Sequence, residues 1–112
     1  MGFRSDPDLA VLKDLAETIA ARKGTDPASS YTASLLAKGV DKCAKKFGEE
    51  AVEVILAAAS GDRDHTAAEA ADVLYHLLVL LEAADVPLVQ VMAALRAREG
   101  VSGHAEKAAR AS

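Results

Sequence analysis

Apolar residues recur at helical spacing along almost the whole chain. Leu9, Leu12, Leu15 and Ile19 lie three or four apart, the spacing of one helix face. Asp6-Pro7-Asp8 supplies a capping oxygen and a first-turn proline ahead of them, and Gly24 is the expected stop. The turn-rich stretch Lys23–Ser30 follows. A short helix is predicted from Tyr31 to Lys38, closed by Gly39. Asp41 is the expected N-cap of a long helix that reaches Ser60 and stops at Gly61. Thr66, with Glu69 three residues on, has the capping-box pattern and is expected to open a helix running to about Ala84. Asp85-Val86-Pro87 then starts a last helix carrying Leu88, Val91, Met92 and Leu95. Strand-like alternation and internal repeats are absent from the sequence. The reading is all-α: one domain over residues 1–112, a bundle of about five helices. Residues 1–7 and about 100–112 are expected to be flexible.

Helical phase adds detail. At about 100° per residue, Phe47, Ala51, Val54, Ile55 and Ala58 share one side of the long helix, with Val52 and Leu56 opposite. Glu50, Glu53 and Lys46 border the first arc. The Thr66–Ala84 helix is apolar almost all round, with Glu69, Asp72 and His76 on one line. A helix of that kind is buried among several neighbours. One chain of 112 residues can hardly surround it, so a homodimer is expected.

The acids carry the chemistry. Glu50 and Glu53, and then Glu69 and Asp72, are pairs three residues apart on consecutive helices, and such pairs share a face. A single acidic pair on a helix is usually just solvated, and Glu69 has the further option of closing a capping box. These pairs, however, border apolar arcs, and the short turn between the helices makes them antiparallel neighbours. Packed helices lie about 8–10 Å apart, so the four carboxylates can converge. Like charges brought together there repel unless a cation is present. Oxygen-only ligands suit Mg²⁺, which usually brings a phosphate substrate with it.

Lys38, Lys42, Lys45 and Lys46 lead directly into these acids. They are either a solvated face with helix pairs such as Lys46 and Glu50, or phosphate contacts beside the metal. Lys42 and Lys46 share the acids' stripe and are the stronger candidates. Tyr31, after Ser29-Ser30, is a loop anchor or a substrate contact. His76 reads as a core residue. His65 and His104 fall in a turn and a tail at spacings that fit no zinc site. Cys43, the one cysteine, reads as a small buried group. Its lack of a disulfide partner, and an N-terminus without a signal-like apolar run, lead to an expected cytoplasmic location. The formal charge of −4 disfavours nucleic acid or a membrane surface as a partner. The unbroken apolar run Leu77–Leu81 is too short to span a bilayer. The sequence holds no P-loop or dinucleotide fingerprint.

Together, K-K-F-G-E-E-A-V-E (Lys45–Glu53) and E-A-A-D-V-L-Y-H-L-L-V-L-L (Glu69–Leu81) resemble the phosphoribosyl-ATP pyrophosphatase family of histidine biosynthesis. That family lies within the all-α nucleoside-triphosphate pyrophosphatases that include the MazG-like proteins. Three further stretches carry the resemblance to this member: Asp26–Leu35, Ala71–Leu78 and Arg98–Arg110. It covers nearly the whole chain after Leu9. Phe47 and Cys43 depart from the pattern without touching an acid. The resemblance implies an Mg²⁺-dependent hydrolase that converts 1-(5-phosphoribosyl)-ATP to 1-(5-phosphoribosyl)-AMP and pyrophosphate as a helical homodimer. Glu50, Glu53, Glu69 and Asp72 become metal ligands. Glu49 and Glu50 become the catalytic carboxylates, with Glu49 orienting a ligand or a water. Lys42, Lys46, Tyr31 and Arg98 are the candidate substrate contacts. Two other readings stay open at this point. One is a house-cleaning pyrophosphatase acting on free nucleotides through the same acids. The other is a non-catalytic helical dimerisation module with solvated acids.

Overall fold

The computed structural model describes residues 10–99. Five α-helices account for most of them: α1 Val11–Arg22, α2 Tyr31–Ala37, α3 Val40–Ser60, α4 Arg63–Ala83 and α5 Leu88–Ala97. A 3₁₀ turn, Pro27–Ser29, precedes α2, and there is no strand among the described residues. The all-α expectation holds, with the predicted helices in the predicted order. The Asp6-Pro7-Asp8 start signal, Leu9, His104 and the stretch from Gly100 lie outside the described residues. No single described helix is long and apolar enough to cross a membrane.

α3 and α4 form an antiparallel hairpin, the most extensive helix pairing in the chain. Its corner is two residues long. Gly61 takes a left-handed conformation (φ 81°) and ends α3. Asp62 then caps α4, its carboxylate accepting from the His65 amide at 3.0 Å. Helix α1 packs on α4, and the short α2 touches α1, α3 and α4. The core gathers one or two residues from each: Ile19 of α1, Leu35 of α2, Cys43 of α3, and Leu78 and Val79 of α4. Cys43 fits there by donating its Sγ proton to the Leu35 carbonyl at 3.2 Å, and burial pushes its thiol pKa up.

Two start signals differ from expectation, and each has a local reason. Asp41 is not the cap of α3. Gly39 occupies that position at φ 89°, a conformation open to glycine, so the helix begins at Val40 and Asp41 falls in its first turn. Thr66 does not open α4 either, because Asp62 starts the helix one turn earlier. The Thr66 hydroxyl instead donates back to the Asp62 carbonyl at 2.7 Å. The phase of α3 also shifts. Its inward stripe is Cys43, Phe47, Glu50, Val54 and Ala57, whereas Ile55 and Ala58 are exposed.

At the far end of α4, the Val86 amide bonds to the Leu81 carbonyl and the Asp85 amide to the Glu82 carbonyl. This is a Schellman stop with an aspartate rather than a glycine at positive φ (59°). The residue is held from outside: Lys23 Nζ donates to Asp85 Oδ1 at 2.6 Å and to the Glu82 carbonyl at 2.9 Å. One lysine therefore ties the end of α1 to the end of α4.

The cap assignment is testable. Asp62→Ala removes the acceptor for the His65 amide and is expected to cost about 1 kcal/mol, whereas Asp41→Ala should stay within about 0.5 kcal/mol of wild type. Urea unfolding of the two variants checks both values.

Candidate active site

The symmetry of the α3–α4 hairpin sets the site. Glu50 lies eleven residues before Gly61 and Asp72 eleven residues after it, so an antiparallel pair brings them level, about 16 Å from the corner at 1.5 Å per residue. Glu53 and Glu69 are level with each other one turn nearer the corner. Three of these four acids converge: carboxylate oxygens of Glu50, Glu69 and Asp72 all lie within 4.8 Å of one another. Glu53 is outside that group. It is rotated about 60° around α3 from Glu50 and is exposed.

Two of the three converging acids are flanked by a base. The Glu50 side chain is 17% exposed, and its Oε1 lies 3.3 Å from Lys46 Nζ. Lys46 also reaches Glu49 at 3.8 Å. Its hydrogen bond to Glu50 raises the lysine pKa, so Lys46 stays charged throughout the neutral range. Glu69, 19% exposed, lies 3.1 Å from His65 Nε2. This is the role Glu69 takes in place of the capping box. His65 was missed by sequence reasoning because the helix was started at Thr66. With the start at Asp62, the i, i+4 spacing of His65 and Glu69 is visible.

The acids adjoin a basic cleft of about 260 Å³, lined by Tyr31, Leu35, Lys38, Lys42, Lys45, Lys46 and Glu49. Lys46 belongs to both features. The predicted contacts Lys42, Lys46 and Tyr31 thus come together, whereas Arg98 caps the C-terminal end of α5 and does not line the cleft. A larger, mostly apolar cavity of about 370 Å³ lies between α1, the end of α4 and α5 and contains none of the acids.

Behind the triad, one turn after Asp72, His76 is buried. Its ring meets Tyr75 edge-on, with centroids 4.9 Å apart. Burial lowers its pKa, Glu50 and Asp72 pull it back up, and Lys46 pushes it down. The expectation of a core histidine agrees with this burial.

The donor set suits a hard cation. Mg²⁺ binds oxygen at about 2.0–2.1 Å in an octahedron, so two of its ligands stand about 3 Å apart when cis and about 4 Å apart when trans. Three carboxylates already within 4.8 Å need only small side-chain rotations to meet those spacings. Soft ligands are lacking, since Cys43 is buried in the core.

A family model described as "Phosphoribosyl-ATP pyrophosphohydrolase" matches residues 12–99. The chain belongs to that family. Among curated relatives, a protein named "Phosphoribosyl-ATP pyrophosphatase" from Cereibacter sphaeroides (strain KD131 / KCTC 12085) is 66% identical over 102 residues, covering 91% of this chain and 99% of the relative. Proteins of the same name from Dinoroseobacter shibae and Rhodobacter capsulatus are 64% and 61% identical over 102 residues. Each of those alignments covers 91% of this chain, with 100% and 99% of the respective relative. The chain therefore spans the whole length of these pyrophosphohydrolase relatives, and the five helices described above fall within the matched region apart from the single residue Val11.

His76 gives a pH signature. Its native pKa lies below the ordinary value of 6.5, so below pH 6.5 the unfolded chain takes up a proton that the folded chain refuses. Stability then falls as pH drops from 6.5 towards the native pKa. In His76→Phe the fall in melting temperature as pH drops below 6.5 should be smaller than in the wild type.

Proposed function

We propose that this chain is a phosphoribosyl-ATP pyrophosphatase that hydrolyses the anhydride between the first and second phosphates of 1-(5-phosphoribosyl)-ATP. The products are 1-(5-phosphoribosyl)-AMP and pyrophosphate, in histidine biosynthesis. The observation that carries this reading is the oxygen triad of Glu50, Glu69 and Asp72 joined through Lys46 to a lysine-lined cleft, in a chain of this family. Free-nucleotide house-cleaning uses the same acids but is not the activity named for the relatives. A dimerisation module gives no reason for three carboxylates to crowd together.

Glu50, Glu69 and Asp72 would hold Mg²⁺, with Glu53 joining by a rotation of its side chain. Once bound, the ion neutralises charge on the phosphates and acidifies a coordinated water. The chain's own residues do the rest. Lys42 and Lys46 bind phosphate oxygens as charge-assisted donors, with Lys38 and Lys45 on the rim. They stabilise charge that builds on the leaving pyrophosphate, the main source of catalysis in phosphoryl transfer. Glu49 is half exposed and 3.8 Å from Lys46. In this reading it orients the attacking water or takes its proton, as does Glu50 once Lys46 turns to the phosphates.

The working form is a homodimer. Val52, Ile55 and Leu56 of α3 are 52%, 63% and 59% exposed, at the i, i+3, i+4 spacing of one face. Leu74 of α4 is 43% exposed as well. An apolar strip of this kind is covered most simply by a second copy. The compartment is the cytoplasm, in keeping with the single reduced Cys43.

Two experiments test these statements. Pyrophosphate release from phosphoribosyl-ATP should require Mg²⁺ and stop with excess EDTA. It should fall at least about 100-fold in Glu50→Gln and in Asp72→Asn, and both variants should also lose the Mg²⁺-induced rise in melting temperature. Full turnover in either variant would remove the metal assignment. Separately, Ile55→Glu with Leu56→Glu should convert a dimeric sedimentation coefficient to a monomeric one, and an unchanged coefficient would move the interface elsewhere.

A further inference from the structure

The basic cleft has one wall that phosphate binding does not explain. Tyr31 is 55% exposed, unusual for an aromatic ring with neighbouring rings to pack against. It is nonetheless held in place. Its ring stacks on Tyr75 with centroids 6.5 Å apart and planes 19° from parallel. Tyr75 is itself fixed twice, by a hydrogen bond between its hydroxyl and Thr32 Oγ1 and by its edge-on contact with buried His76 at 4.9 Å. Tyr31 also meets His76 edge-on at 6.3 Å. A chain of rings thus runs from the core of α4, one turn past Asp72, to the wall of the lysine cleft. The hydroxyl of Tyr75 is engaged with Thr32, and the cluster offers a ring surface beside the cations.

We infer that Tyr31 is the nucleobase-stacking residue of the site, and that Tyr75, Thr32 and His76 are positioning residues that hold its ring. The inference rests on the proposed function and adds to it the recognition of the purine. With the pyrophosphate end on Lys42 and Lys46 and the scissile anhydride at the triad, the nucleoside end lies on the triad side of the cleft, where Tyr31 lines the wall and meets His76 one turn past Asp72. Stacking of a base on an aromatic ring contributes about 1–3 kcal/mol, which converts to roughly 5- to 150-fold in affinity. The ring is the active part: it presents a π-face at fixed orientation with little entropy left to lose. Tyr31 is thereby a specificity element for a base-bearing polyphosphate over a bare one.

The test compares Mg-ATP, which carries a purine, with Mg-tripolyphosphate, which does not, by calorimetric binding to the full chain. Phosphoribosyl-ATP turnover is measured alongside, resolved into kcat and KM. Tyr31→Leu should weaken Mg-ATP binding at least about 5-fold, leave tripolyphosphate binding unchanged, and raise KM far more than it lowers kcat. Tyr31→Phe, which keeps the ring, should restore most of the Mg-ATP binding that Tyr31→Leu loses. Tyr75→Leu should reproduce part of the Tyr31→Leu loss for ATP alone, and circular dichroism confirms that each variant is folded. Equal loss for both ligands in Tyr31→Leu would make the residue a phosphate contact and overturn the inference. So would a loss in Tyr31→Phe matching that in Tyr31→Leu, or no loss at all. Failure of wild type to turn over phosphoribosyl-ATP would sink the proposed function, while the two binding curves would still decide the role of Tyr31.

Discussion

Apolar packing holds three like charges together. Glu50, Glu69 and Asp72 have no electrostatic reason to approach one another, and at separations under 5 Å their repulsion is substantial. The α3–α4 interface forces the approach. Ala57, Val54 and Phe47 on one helix and Leu78 and Val79 on the other turn inward, and the acids sit on the same faces. The core is small, however, and several large residues on α3 and α5 stay exposed. The structure thus carries a local cost at the triad that a divalent cation would relieve. Metal binding and folding stability are then linked, as for any ligand that binds only the native state.

The corner of the hairpin controls register. One residue inserted near Gly61 or Asp62 would rotate α4 by about 100° relative to α3 and carry Glu69 and Asp72 off the face they share with Glu50. The corner is built from two local devices, a left-handed glycine and an aspartate cap, each of which acts within one turn. The Lys23–Asp85 bridge pins the opposite end of α4 to α1. Between these two fixed ends the acids keep their relative places along a single helix pair, and α2, packed on it, brings Tyr31 to the rings of α4 and to the lysine cleft.

Helix number, helix order and the two acid pairs were legible in the sequence because they depend on periodicity and on glycine stops, both local. The helix starts were less so. At Gly39 a backbone conformation replaced the side-chain cap offered by Asp41. At Asp62 a nearer cap won over Thr66. That second difference had consequences, since it hid the pairing of His65 with Glu69 and left Glu69 as a possible capping residue. The phase of α3 was read slightly too far round because Ile55, a large apolar residue, was counted towards the core. Composition cannot separate an apolar residue facing its own core from one facing outward. The joining of Tyr31 to Tyr75 and His76 was invisible for a different reason: it links residues more than forty positions apart, through tertiary packing alone.

The outward face of α3 bears on Glu53. Around that helix, Glu50 points at α4, while Val52, Ile55 and Leu56 point nearly the opposite way. Glu49 and Glu53 occupy the seam between these faces on the Lys46 side. In a single chain the seam is exposed, and Glu53 has nothing to hold it near the triad. If a second copy covers Val52 and Leu56, the same seam becomes the edge of an interface, where the rotamers of Glu49 and Glu53 are restricted and water is partly excluded. Exclusion of water strengthens every charge interaction at the triad. A second copy lying along this seam would restrict the rotamer of Glu53 without moving the backbone of α3.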